Sequence, residues 1–264
     1  MLISAIIVTY NRPDALAAIL ESILRQKEHP AEVVIADDGS GPETAAVIKR
    51  FRTFFPIELK HVWHEDRGFR GSAIRNRAVR ESSGDYLVFS DGDLLFHSSF
   101  FADFRTMAAP GNASIGSRVF LSPAMTGKIL KKGPSELPGF FSPGIAQNRI
   151  NALRFPLIAA LLPAPRFSER LRGGLLGVFR KELEAVNGWN EEFSGWGLED
   201  TELVARLFFN GTRLRKLKFS ALSYHLWHPE ADRVMLETNR LILRKTMENN
   251  ATWCPHGLSP SHRE

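Results

Sequence analysis

Hydrophobic and polar positions change period in a regular way through the first part of the chain. Ile3 to Thr9 is a continuous apolar run rich in β-branched residues and reads as a buried strand, broken by Asn11-Arg12-Pro13-Asp14. Leu16, Ile19, Leu20, Ile23 and Leu24 then fall at offsets of 3, 4, 7 and 8, the stripe of an amphipathic helix with Pro13 near its first turn. The unit repeats. Val33 to Ala36 predicts a second strand, ended by Asp37-Asp38-Gly39-Ser40-Gly41-Pro42, and a helix carrying Val47, Ile48, Phe51 and Phe55 follows. Ile57 to Trp63 predicts a third strand, then come a basic loop and a helix from about Ser72 to Glu81. Tyr86 to Ser90 predicts a fourth strand ending at Asp91. Strands alternating with helices predict an α/β domain on a mostly parallel sheet.

In such sheets ligands sit beyond the carboxyl ends of the strands. The segments Thr9 to Arg12, Asp37 to Ser40, Asp66 to Arg70 and Asp91 to Asp93 all lie at predicted strand ends or in the loops after them. One rim is therefore expected to gather four polar segments. From Ala109 to Arg172 the periodicity is lost and the composition turns to Pro, Gly, Lys and Arg, including Lys128, Lys131, Lys132, Arg149, Arg154, Arg166, Arg170 and Arg172. This stretch reads as a mobile lid or acceptor-side insertion, with order returning at Gly173 to Phe179 and a turn at Asn187-Gly188-Trp189-Asn190. The expected organisation is thus 1–108, 109–172 and 173–264.

Composition narrows the classes. A chain of 264 residues with 44% hydrophobic content can bury one substantial core. Its single cysteine, Cys254, rules out an internal disulfide and suits a reducing compartment, so a cytoplasmic location is expected. Met1-Leu2-Ile3-Ser4 shows no basic leader, and no apolar run reaches the roughly 18 residues of a membrane span. Phe155 to Leu162 reads either as a short piece resting on the inner membrane surface or as a buried helix. A net charge of +5, from 34 Lys plus Arg against 29 Asp plus Glu, favours anionic partners. Zinc-finger spacing, RNA-binding aromatics and long basic blocks are all missing, which argues against nucleic acid.

The candidate chemistry is acidic. Asp91 and Asp93, separated by Gly92 at a strand end, can both face one hard cation such as manganese or magnesium, which takes oxygen ligands and shares them with phosphates. His225 and His228, three apart, add possible ligands that spacing does not separate. Arg67, Arg70, Arg75 and Arg77 crowd one loop and helix start, where guanidinium forks and backbone N–H groups suit phosphate; Arg77 reads as solvated. Gly195-Trp196-Gly197-Leu198-Glu199-Asp200 puts two carboxylates behind a turn displaying an indole, a pattern that suits gripping a sugar and deprotonating its hydroxyl. The same acids also suit an ordinary helix N-terminus. No phosphate-binding Gly-x-x-x-x-Gly-Lys-Ser/Thr loop and no Gly-x-Gly-x-x-Gly follows the first strand.

Val8-Thr9-Tyr10-Asn11-Arg12, Asp37-Asp38-Gly39-Ser40, Asp66-Arg67-Gly68-Phe69-Arg70, Arg75-Asn76, Asp91-Gly92-Asp93 and Gly195 to Asp200 occur in the order seen in family 2 glycosyltransferases of GT-A fold. The later half resembles the galactosyltransferase-type region of chondroitin-polymerase-like enzymes, and the match runs from about residue 3 to residue 230. The resemblance implies an inverting, metal-dependent transfer of a hexose or N-acetylhexosamine from a UDP-sugar to a glycan or glycolipid acceptor, such as a cell-surface polysaccharide or lipopolysaccharide precursor. It implies that Thr9, Tyr10, Asn11 and Arg12 wrap the nucleoside and that Asp37 or Asp38 accepts from the base. Asp66, Arg70 and Arg75 would contact ribose or diphosphate. Asp93, with Asp91 and His225 or His228, would hold the cation, expected to be manganese, with magnesium the alternative. Asp200 matches the catalytic base, and Glu199 and Trp196 match acceptor-binding groups. A catalytically silent sugar-nucleotide-binding subunit and a sugar nucleotidyltransferase are the competing readings.

Overall fold

The computed structural model describes residues 1–165, 167–168, 174–230 and 232–259. Its first half runs β1 (Ile3–Thr9), α1 (Pro13–Leu24), β2 (Glu32–Asp37), α2 (Pro42–Arg52), β3 (Glu58–Trp63), α3 (Gly71–Glu81) and β4 (Tyr86–Asp91). These are the predicted elements, within a few residues at their ends. Phe55 lies beyond the end of α2 but still packs against the core. The chain continues through β5 (Leu94–Phe96), α4 (Phe100–Met107), β6 (Asn112–Gly116), β7 (Arg118–Leu121), α5 (Pro123–Lys132), β8 (Ile145–Gln147) and α6 (Pro156–Leu161). It closes with β9 (Leu175–Phe179), α7 (Arg180–Ala185), α8 (Glu199–Phe209), β10 (Arg213–Leu217), β11 (Ser223–His225) and α9 (Leu236–Glu248).

Seven strands form the main sheet in the order β10-β6-β9-β4-β1-β2-β3. Pairing is parallel except at β9, which runs antiparallel to both β4 and β6. Both faces are covered, which is why the strands read as unbroken apolar runs rather than alternating ones. Ile3, Ala5 and Ile7 pack with Leu16, Ile19, Leu20 and Ile23 of α1 on one side. Ile6, Val34 and Phe89 pack with Ile74 and Val79 of α3 and Leu203 and Leu207 of α8 on the other. A second sheet, β5-β11-β7-β8, stands beside it.

Register sets the rim. Thr9 lies opposite Asp37 and Val8 opposite Asp91, so the polar ends of β1, β2 and β4 emerge together. Gly92 then turns across the end of β1 so closely that a Cβ there would lie 2.2 Å from the Val8 carbonyl oxygen. Only glycine fits that crossing.

The aperiodic stretch contains more order than its composition announces, since β6 joins the main sheet while β7 and β8 join the second. Of the basic residues read as part of a lid, Arg166, Arg170 and Arg172 lie outside the described residues, as does Gly173. Helix α6 is largely exposed: Leu157 and Leu161 each show 84% of their surface, while Ala159 is buried. Among the described residues no helix is long and apolar enough to cross a membrane.

Candidate active site

Strand β4 delivers Asp91 to the rim, and Gly92 swings Asp93 onto the start of β5. There β11 runs antiparallel, with His225 opposite Leu94 and the Leu226 N–H donating to the Asp93 carbonyl at 2.9 Å. This pairing brings two distant parts of the chain together: His225 Nε2 lies 3.3 Å and His228 Nε2 3.0 Å from Asp93 Oδ2. One ligand atom from each of the three residues lies within 4.8 Å of the others. Asp93 Oδ1 is buried without a hydrogen-bond partner among the described residues. A carboxylate with an orphaned buried oxygen, flanked by two imidazoles, is a donor set that fits a divalent cation. Burial would raise the Asp93 carboxyl, but the His228 hydrogen bond and the charge of His225 hold it below its usual range. The Asp93 hydrogen bond raises His228, whereas burial pushes His225 down.

Asp91 stands apart from that cluster. Its carboxylate faces Arg75 Nη2 at 3.1 Å and Arg118 Nη2 at 3.3 Å. Arg75 reaches from α3 and is buried; its Nη1 lies 3.6 Å from Glu199 Oε1 at the start of α8. One guanidinium thus links the strand-end acid to the acid pair Glu199 and Asp200. Burial and the neighbouring Asp200 push Glu199 up to about 7 against the opposing charge of Arg75. Burial also lifts Asp91 to about 6, with Arg118 and Arg75 opposing and Asp200 and Asp93 adding to the rise.

The acid pair is held by a turn that the chain builds with care. Gly195, Gly197 and Leu198 all have positive φ, at 65°, 111° and 74°, and Leu198 caps α8. A leucine there carries strain that its surroundings must hold in place. From α9, Asn239 donates to the carbonyls of Ser194 and Gly197, each at 3.0 Å. Behind the acids, the fully buried Trp189 packs on Phe89, donates from Nε1 to Asp200 Oδ1 at 3.4 Å, and carries the Arg75 guanidinium 5.6 Å from its ring centre. One turn further along α8, Glu202 and Arg206 form a buried pair at 2.8 Å, and Arg206 also donates to the carbonyls of Val186 and Gly188. Trp196 is half-buried, with Arg233 5.5 Å from its ring centre.

The remaining expected residues line the β1 and β2 ends. Asp37 is fully buried, accepting from the Ser40 N–H at 2.8 Å and facing His61 Nε2 at 2.8 Å. Asp38 faces His64 Nε2 at 2.5 Å and accepts from the Arg70 N–H at 2.9 Å. The Tyr10 hydroxyl donates to Asp66 at 2.9 Å, and the Asn11 side chain accepts from the Gly41 N–H at 2.9 Å. Thr9 Oγ1 is buried without a partner among the described residues, and Arg12 pairs with Asp14 at 3.3 Å. Arg67 pairs with Glu65 on the surface, and Arg77 is exposed as expected. Arg118, Trp189, His61 and His64 are new to the site. His61 and His64 carried a signal, being near the end of a predicted strand next to the Asp37-Asp38 strand; Arg118 lay in the stretch without periodicity, and Trp189 read only as part of a turn.

Residues 4–153 match the family model for glycosyl transferase family 2, and residues 155–229 match that for the N-terminal domain of galactosyltransferase. The chain is 27% identical over 241 residues to a chondroitin synthase of Escherichia coli, covering 84% of this chain and 34% of that one. It is 27% identical over 237 residues to a validoxylamine A glucosyltransferase of Streptomyces hygroscopicus subsp. limoneus, covering 80% and 48%. The chain therefore spans about a third to a half of these curated relatives. Among solved structures, the mannosyltransferase PcManGT from Pyrobaculum calidifontis, in complex with GDP-Man and Mn2+, superposes with a TM-score of 0.62 at 20% identity, covering 93% of this chain and 64% of that one. S. aureus TarS 1-349 in complex with UDP gives 0.64 at 15% identity, covering 95% and 65%. At such identities the likeness is one of fold, while the family model spans more than half of the sequence. The chain belongs to glycosyl transferase family 2, built on the GT-A fold.

Proposed function

We propose that this glycosyltransferase is inverting and cation-dependent, and moves a hexose or N-acetylhexosamine from a UDP-sugar to a hydroxyl of a cell-surface polysaccharide or lipopolysaccharide precursor. One observation carries the reading: the Asp93, His225 and His228 donor set shares a rim with a separate acid pair, Glu199 and Asp200, and Arg75 with Asp91 links the two. A UDP complex among the structural neighbours and a chondroitin synthase among the relatives support the donor and acceptor classes.

In this reading residues 1–108 bind the donor, 109–172 form the lid or acceptor-side insertion, and 173–264 supply base and acceptor site. Thr9, Tyr10, Asn11 and Arg12 surround the nucleoside, with Asp37 or Asp38 accepting from the base. Asp66, Arg70 and Arg75 serve ribose and diphosphate. Asp93, His225 and His228 hold the cation, manganese before magnesium; when bound, it supplies positive charge to the diphosphate. Glu199 and Trp196 grip the acceptor sugar. Asp200 takes the hydroxyl proton as the acceptor oxygen attacks the anomeric carbon, and the bonding pair of the sugar–phosphate bond leaves with UDP. A single displacement inverts the anomeric centre. Peripheral contact with the inner membrane surface fits the same picture, since α6 exposes Leu157 and Leu161 and Arg215 donates to its Ala160 carbonyl.

A donor panel tests the proposal. Nucleotide release is measured from UDP- and GDP-sugars with manganese present, and the product's anomeric configuration is read by NMR. Release from a UDP-hexose or UDP-N-acetylhexosamine with inverted product is expected. Turnover confined to GDP-sugars would replace the donor class, and retained configuration would remove Asp200 as a lone base.

A further inference from the structure

Asp91 is gripped by two arginines that differ in what else they can do. The Arg75 side chain is 5% exposed, already faces both Asp91 and Glu199, and lies over Trp189. The Arg118 side chain is 20% exposed, and among the described residues it forms one ion pair, to Asp91. Arg118 opens β7, whose neighbour β11 carries His225; Ser223 stands opposite Arg118 and His225 opposite Phe120. The guanidinium therefore stands on the side of Asp91 that faces the Asp93, His225 and His228 cluster.

Its place is built. A Cβ on Gly174 would lie 2.1 Å from Arg118 Nη2 and 2.4 Å from Asp91 Oδ2, and the Gly174 carbonyl accepts from the Asp91 N–H at 3.1 Å. A backbone without a side chain leaves the space that the guanidinium fills. Arg75 alone already provides Asp91 with a buried counter-charge, so the second, more accessible fork is available to an anion. The anion that a sugar donor brings to this point is the phosphate bearing the sugar, because the anomeric carbon must come within reach of the Glu199 and Asp200 pair.

We propose that Arg118 is a donor-phosphate contact: held by Asp91 in the free protein, it takes an oxygen of the sugar-bearing phosphate when donor binds, while Arg75 keeps Asp91. The inference rests on the sugar-nucleotide reading above. A guanidinium there would also meet the charge that grows on the departing phosphate.

Calorimetry with manganese separates the possibilities, using UDP and UMP on the unaltered protein, Arg118→Gln and Arg118→Lys, and GDP on the unaltered protein. For Arg118→Gln we expect UDP binding to weaken about tenfold or more, the scale of a charge-assisted hydrogen bond, with UMP changed less than about twofold. Arg118→Lys should fall between, keeping the charge without the fork. Retained UMP binding also reports an intact fold. Equal losses for UDP and UMP would make Arg118 a mere prop for Asp91 and overturn the inference, as would unchanged UDP binding. If the unaltered protein bound neither UDP nor GDP, the donor reading itself would fall, and the phosphate contact with it.

Discussion

At the residue scale, Glu199 and Asp200 are adjacent in sequence yet differently placed. Glu199 is buried against Arg75, and Asp200 accepts from Trp189 at the half-open end of the helix. Asp200→Asn keeps that contact's shape but cannot take a proton. Transfer should drop by roughly a hundredfold or more with UDP affinity nearly unchanged, measured by turnover and calorimetry. Glu199→Gln should instead raise the acceptor KM first. The raised Glu199 pKa has its own signature. The folded state holds the proton up to about pH 7, while the unfolded carboxyl releases it near 4.5, the ordinary range for a glutamate. Between those values the native state binds more protons, so stability falls as pH rises and levels off above about 7. The Tm of the unaltered protein, relative to Glu199→Gln, should decline between about pH 5 and pH 7; a difference that grew with pH would contradict the assignment.

At the element scale, α8 and the turn after α7 are one mechanical unit. Arg206 joins them, paired with Glu202 and donating to the carbonyls of Val186 and Gly188, with Thr246 of α9 adding a hydrogen bond to Glu202 at 3.0 Å. Arg206→Ala would leave a buried carboxylate and two buried carbonyls without their partner. A loss of about 3–5 kcal/mol is expected in denaturant unfolding, the scale of breaking one side of a buried ion pair. Periodicity revealed α1 to α3 because their apolar stripes repeat over several turns. The strands β6 and β7 escaped it. At five and four residues they are too short to show a period, and their partners β9, β10 and β11 come from far along the chain.

At the scale of the whole molecule, a sheet with one antiparallel strand sets Glu199 and Asp200 beside the rim formed by the ends of β1, β2 and β4. β9 runs between β4 and β6, and the turn beyond α7 sets Trp189 against Phe89 of β4 and against Asp200. Crowding carboxylates at that rim sets a requirement for anionic ligands. Asp93 and Asp200 would repel a diphosphate unless a cation shields it. UDP affinity should therefore fall at least about tenfold on adding EDTA, and Asp93→Ala should reproduce the fall with manganese present. Equal affinities in calorimetry would remove the cation from this site.

Sequence alone determined the α/β class, the strand ends that carry Thr9 to Arg12, Asp37 to Ser40 and Asp91 to Asp93, and the acid pair Glu199 and Asp200. Each is a local pattern, an apolar period ended by polar residues, and such patterns survive without knowledge of partners. Tertiary structure decided what the patterns do together. His225 and His228 could not be told apart by spacing, and the β5–β11 pairing places both on Asp93. Asp91 read as a companion ligand, yet it is engaged by Arg75 and Arg118 outside the three-residue cluster. Asp93 meets its histidines through strand pairing across more than a hundred residues, and Asp91 meets its arginines through the packing of α3 and β7 at the rim; no local period encodes either.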